Sequence, residues 1–209
     1  MPRSPTPRAN RPVPAIGCAA LAALLALGPA PSAAFVLGGT VLEQTGQGAF
    51  VKLPTDPGFA VGADTFNTDH LYAFDEDQNI TLPRAIAVEI AGVGFAEGSG
   101  VGRGAGAIPA GTVVASHYVF FDSIAGIQVG HVDFDAPILG VAVSQRTMAA
   151  TDFLANTAVT YLNPELRGLE AGDMVWVEPE DRHRLWVAWA GSSPGDYIRV
   201  FTARSPAGV

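Results

Sequence analysis

The run Val113-Val114-Ala115-Ser116-His117-Tyr118-Val119-Phe120-Phe121, its break at Asp122-Ser123-Ile124-Ala125-Gly126, and the return Ile127-Gln128-Val129-Gly130-His131-Val132-Asp133-Phe134 decide the fold class. β-Branched and aromatic residues dominate both runs, and a short glycine-containing loop separates them, so they read as antiparallel strands. Closing them symmetrically over the loop pairs Phe121 with Ile127, Val119 with Val129 and His117 with His131.

The same signals recur on either side of this stretch. Residues 35–62 read as one or two edge strands with tight turns. His70 to Phe74 is a short strand, 75–79 a polar turn, and Ile80 to Leu82 and Ala85 to Ile90 resume extended structure, with Pro83 at an edge or bulge. The glycine-rich segment 92–106 reads as a surface loop. It does not bind phosphate in the manner of a P-loop or dinucleotide fingerprint, because neither spacing fits and no helix follows. Ile138 to Ser144 is a further strand and Met148 to Leu154 a short helix. Asn163-Pro164 opens a single helical turn. Met174 to Val177, Arg184 to Ala190 and Tyr197 to Thr202 read as a three-stranded meander. Short strands, frequent turns and no long amphipathic helix indicate an all-β, two-sheet antiparallel sandwich with one or two short helical turns, a jelly roll being one candidate arrangement. No internal repeat is visible.

Arg3, Arg8 and Arg11, the 13-residue apolar run Ala15 to Leu27 and the small residues Ala30 to Ala34 have the order of a secretory signal peptide, residues 1–34. The run is too short to span a bilayer as a helix, so no membrane span is expected once the signal is removed. The expected product is one domain, 35–209, secreted or periplasmic. Its only cysteine, Cys18, leaves with the signal, so packing and not disulfides must hold the fold. Nine bases remain against 20 acids, a net charge of −11, which disfavours nucleic acid and anionic membranes as partners.

Three phrases carry a family likeness: Asn67 to Asn79 (NTDHLYAFDEDQN), Ala110 to Asp122 (AGTVVASHYVFFD) and Ser192 to Val200 (SSPGDYIRV). They resemble uncharacterised secreted bacterial β-rich domains often found in proteins with a PEP-CTERM sorting tail. The likeness spans about Asp64 to Thr202 and implies export, but no activity and no functional residue. The terminal Ser205-Pro206-Ala207-Gly208-Val209 shows none of the sorting tail's features.

Candidate chemistry falls on three groups. On the last strands, alternation puts Trp176 with Glu178 and Trp186 with Arg184. If the two tryptophans sit opposite each other, Glu178 meets Arg184 and the face presents flat rings flanked by charges, as sugar-binding sheets do, with Trp189 in the core. His117 facing His131, with Asp133 diagonal to both, has the residue types of a metal site, though a one-residue slip in register destroys it. Asp75, Asp77 and Asn79 place oxygens at alternate positions of a turn, a calcium-like pattern lacking the EF-hand glycine and glutamate; turns are rich in these residues for backbone reasons too. Gly191 to Gly195 matches the nucleophile-elbow spacing in the wrong context, since a strand follows it and no histidine does. Arg199 is expected to pair with Asp196 or Glu178. Asp133 and Asp135 could be cast as glycosidase carboxylates, but two residues apart on one strand is a common accident. The expected function is a secreted non-catalytic β-sandwich binding an extracellular polysaccharide or a cell-surface protein. An extracellular polysaccharide hydrolase or lyase and a structural envelope protein stand as alternatives.

Overall fold

Two kinds of strand are distinguished by burial. Met174–Val177 and the Leu185 to Trp189 part of Arg184–Ser192 bury every second residue, whereas Leu71–Asp75, Val113–Phe121 and Asp196–Ala203 are buried at nearly every position. The first pattern belongs to a sheet with one wet face, the second to a sheet covered on both. In the computed structural model, which describes Met1 and residues 35–100, 102–192 and 194–204, the strands sort in that way. The signal segment, Ser193 of the elbow pattern and the terminal 205–209 lie outside the described residues.

In chain order the strands are β1 (Val36–Gln44), β2 (Phe50–Lys52), β3 (Ala60–Val61), β4 (Leu71–Asp75), β5 (Ile80–Thr81), β6 (Ile86–Val88), β7 (Ile90–Ala91), β8 (Phe95–Glu97), β9 (Gly102–Arg103), β10 (Gly106–Ile108), β11 (Val113–Phe121), β12 (Ala125–Phe134), β13 (Ile138–Ala142), β14 (Thr160–Tyr161), β15 (Met174–Val177), β16 (Arg184–Ser192) and β17 (Asp196–Ala203). One sheet has six strands in the order β1-β12-β16-β15-β8-β9. The other follows β2-β4-β11-β17-β13-β7, with β5 added to β11. The all-β sandwich expected from the sequence is therefore observed. Behind the second sheet lies a further layer of loops, the short helix α1 (Gln145–Ala150) and the 3-10 turn Asp152–Leu154.

That layer explains the two-sided burial. Leu71, Val119, Phe121, Ile198 and Val200 face the first sheet's Val175, Leu185, Val187 and Trp189 across the central core. Tyr72, Phe74, Tyr118, Phe120, Tyr197 and Phe201 point the other way, into a second, aromatic core closed by Phe59, Phe66, Met148, Leu154 and Tyr161. Within it Tyr72 stacks on Phe120 at 4.9 Å and Phe120 on Tyr197 at 5.7 Å.

Two sequence expectations are corrected by this sorting. β11 and β12 form no hairpin: β11 pairs with β4 and β17, while β12 pairs with β1 and β16. The meander is likewise broken after β16, because β17 joins the other sheet. Residues 122–124 and the segment ahead of Asp196 each cross between sheets. Gly191 permits the second crossing, since a Cβ there would run into the Phe121 ring, and Gly195 turns it with φ 89°. The glycine-rich segment is also more ordered than a loop. It folds as the β8–β9 hairpin on the sheet edge, Phe95 opposite Arg103, and Gly98 packs its backbone against Glu170.

A candidate binding face and the buried polar clusters

Antiparallel register lines up residues that the sequence scatters. Thr40 is opposite His131, His131 opposite Trp186, Trp186 opposite Trp176, Trp176 opposite Phe95 and Phe95 opposite Arg103. These six form one row across the outer face of the six-stranded sheet. At about 4.8 Å per strand, His131 to Phe95 spans roughly 14 Å. Trp176 and Trp186 are parallel within 7° at a centroid distance of 5.7 Å, and the His131 ring meets Trp186 edge-on at 4.9 Å. The pairing of the two tryptophans is as read from alternation, and Trp189 is core. The flat platform is revised: the rings stack on each other, so they do not lie side by side. Beyond Trp176, an open hollow of about 380 Å³ is lined by Val93, Phe95, Met174, Trp176, Val177 and Pro179, and it is almost entirely apolar.

A charged row runs beside the aromatic one. Arg184 Nε and Nη2 donate to the two Asp133 oxygens at 2.7 and 3.2 Å, and its guanidinium stands 5.9 Å from the Trp186 ring centroid. Glu178 accepts the Trp186 Nε1 proton at 2.8 Å. The expected meeting of Glu178 and Arg184 occurs through the backbone, with the Glu178 N–H donating to the Arg184 carbonyl, while their side chains bond to Trp186 and Asp133. His131 Nδ1 lies 3.3 Å from Asp133 Oδ2, an ion-pair distance without hydrogen-bond geometry. Burial lowers the His131 pKa against the opposing pull of Asp133, so the ring is held neutral.

The proposed His117–His131–Asp133 metal site is not assembled, because its two histidines stand on different sheets. His117 is fully buried, with Nδ1 2.9 Å from Asp75 Oδ1 and Nε2 3.0 Å from Thr202 Oγ1. This Thr–His–Asp chain has the order of a nucleophilic triad. Both Thr202 and His117 are sealed in the sandwich, however, and no substrate atom can reach the hydroxyl. The calcium reading of Asp75, Asp77 and Asn79 fails on donor use. Asp75 accepts from His117, from Lys52 at 2.8 Å and from the Val36 N–H at 2.8 Å, and Asp77 Oδ1 accepts from the Gln78 N–H. Among the described residues no group of three His, Cys, Asp or Glu side chains converges. Burial opposes ionisation of Asp75, but His117, Lys52 and the Val36 N–H outweigh it and hold its carboxyl below the ordinary value of 3.8. Asp135 accepts the Phe35 N–H, so the Asp133/Asp135 pair is divided between two structural tasks.

Two buried clusters escaped the sequence reading. Arg199 pairs with neither expected acid. Its Nε and Nη2 donate to Glu76 at 2.6 and 2.9 Å, and its Nη1 to the Met148 carbonyl, Thr151 and Asp152. Ser116 and Tyr161 each donate to Glu76 at 2.6 Å. Both Arg199 and Glu76 side chains are fully enclosed, and this network fastens the α1 layer to the second sheet. The other cluster is a carboxyl pair, Asp173 and Asp196, each 1% exposed. Asp173 accepts the Ala190 and Glu170 N–H groups at 2.8 Å. Burial, then the hydrogen bond and charge of Asp173, push the Asp196 carboxyl up to about 10, so the pair shares one proton at neutral pH.

No family model, characterised protein or solved structure matches the chain. No helix among the described residues is long and apolar enough to cross a membrane.

Proposed function

We propose that this is an exported, non-catalytic binding domain that takes an extracellular polysaccharide chain on the outer face of its six-stranded sheet. The observation that carries the reading is the row His131–Trp186–Trp176–Phe95, laid across four adjacent strands and ending at an apolar hollow. A sugar ring has one C–H-rich face and a rim of hydroxyls. The open side of Trp176 and the hollow suit the first, while Glu178, Asp133 and Arg184 suit the second. The Arg199–Glu76 and Asp173–Asp196 clusters hold the fold together, and Thr202 and His117 are sealed in the sandwich, which favours binding over hydrolysis. Export is supported by the signal-like residues 1–34 and by the likeness to secreted PEP-CTERM-associated domains.

The test is binding of the purified chain to an array of neutral and acidic polysaccharides, repeated with Trp176→Ala. Stacking on one aromatic ring is worth about 1 kcal/mol or more, so the variant should bind at least about fivefold more weakly with its melting temperature little changed. Equal binding by both chains, or no saturable binding by the wild type, would sink the proposal.

A further inference from the structure

We infer that the bound polysaccharide turns along β8 and continues into a second cavity, where Glu97, Gln145 and Arg146 bind the hydroxyls of a neutral sugar unit. This deepens the proposed function and rests on it. Phe95 lines the apolar hollow, and Glu97, two residues further on β8, points to the same side of the strand. Glu97 is opposite Met174, itself part of the hollow's wall. Glu97 also borders a cavity of about 470 Å³, within the size range of small-ligand sites. A chain that turns at Phe95 to run along β8 therefore meets this cavity at Glu97.

The cavity has fixed walls and polar groups open to solvent. Glu89 accepts from the Val143 N–H and from the Ser144 and Thr147 hydroxyls at 2.8 to 2.9 Å, which anchors the start of α1. Arg167 is held by both oxygens of Asp152 and by the Pro164 carbonyl. By contrast, the Glu97, Gln145 and Arg146 side chains have no hydrogen-bond or ion-pair partner among the described residues. A carboxylate accepts, a guanidinium donates and an amide does both, as a sugar hydroxyl requires. The cavity is lined by two acids, Glu89 and Glu97, and two bases, Arg146 and Arg167, whose formal charges cancel, which selects a neutral polyol over a free cation or anion. Val143 and Leu169 provide apolar surface for the ring.

The experiment is calorimetric titration of the full chain with neutral gluco-, xylo- and manno-oligosaccharides of two and six units. Glu97→Ala and Arg146→Ala should each weaken the six-unit sugar about tenfold, as expected for a lost hydrogen bond to a charged group, and leave the two-unit sugar unchanged. Trp176→Ala should weaken both. Wild-type affinity for the six-unit sugar in both cavity variants, with loss only in Trp176→Ala, overturns the second cavity and leaves the aromatic row standing. Equal weakening of both lengths by Glu97→Ala also overturns it, since the cavity would then not be an extension. Failure of the wild type to bind any sugar at either length removes the aromatic-row reading and this inference together.

Discussion

The Asp173–Asp196 pair gives the chain a pH-dependent stability that one substitution should erase. Asp196 has a folded-state pKa raised from 3.8 to about 10. A raised carboxyl pKa means that the folded chain holds a proton the unfolded chain has released. The contribution is therefore fully present below about 3.8 and is lost as pH rises towards about 10. Between those limits one proton is taken up on folding, and the unfolding free energy falls by about 1.4 kcal/mol per pH unit from this group. From pH 7 to pH 9 the loss is roughly 2–3 kcal/mol. The depressed His131 pKa leaves that ring neutral throughout this window, and Glu170 adds a negative charge beside the pair. Asp196→Asn keeps an uncharged hydrogen-bonding side chain and removes the titration. Urea unfolding followed by tryptophan fluorescence at pH 7, 8 and 9 measures both chains. The stability difference in favour of Asp196→Asn should grow by roughly 2–3 kcal/mol across the series. A constant difference between the two chains over this range would falsify the shared-proton assignment.

Three further outcomes follow from the buried networks. Arg199→Met leaves Glu76 charged and enclosed with only Ser116 and Tyr161, and should cost about 3–5 kcal/mol in urea unfolding; the double variant Glu76→Gln/Arg199→Met should recover a large part of that. Recovery of none of it would show that the charge pairing is not what matters there. Asp75 has a depressed pKa, so its contribution is present above 3.8 and lost as pH falls through its folded-state value. The stability gap between wild type and Asp75→Asn should therefore narrow in titrations below pH 4 and stay flat between pH 5 and 7. Finally, EDTA and millimolar Ca²⁺ should leave the melting temperature unchanged, because the Asp75 oxygens are occupied by Lys52, His117 and the Val36 N–H. A calcium-dependent rise would restore the metal reading that the geometry rejects.

The candidate site was more legible than the topology around it. Trp176 opposite Trp186 could be read because β15 and β16 are joined by a short turn and alternate strictly, so local pattern alone sets their register. Phe95 at the end of the same row could not, since its strand sits inside a glycine-rich segment that shows alternation only once it is docked on β15. His131 reads from local pattern as facing His117, whereas the sheet order sets it beside Trp186. The pair Glu76 and Arg199 is 123 residues apart in the chain and gave no local signal.

Residue types and their spacing determined the β class, the positions of most strands, the alternating faces of β15 and β16 and the acidic, disulfide-free character of the domain. These follow from backbone propensity and side-chain period, which act over a few residues. Which strands share a sheet was decided only in three dimensions. Short loops between β11 and β12, and between β16 and β17, are as compatible with a hairpin as with a crossing. The choice falls to the crossing because β4, β11 and β17 carry apolar side chains on both faces and can bury both only in a sheet covered on two sides, whereas β12, β15 and β16 must keep one face in water.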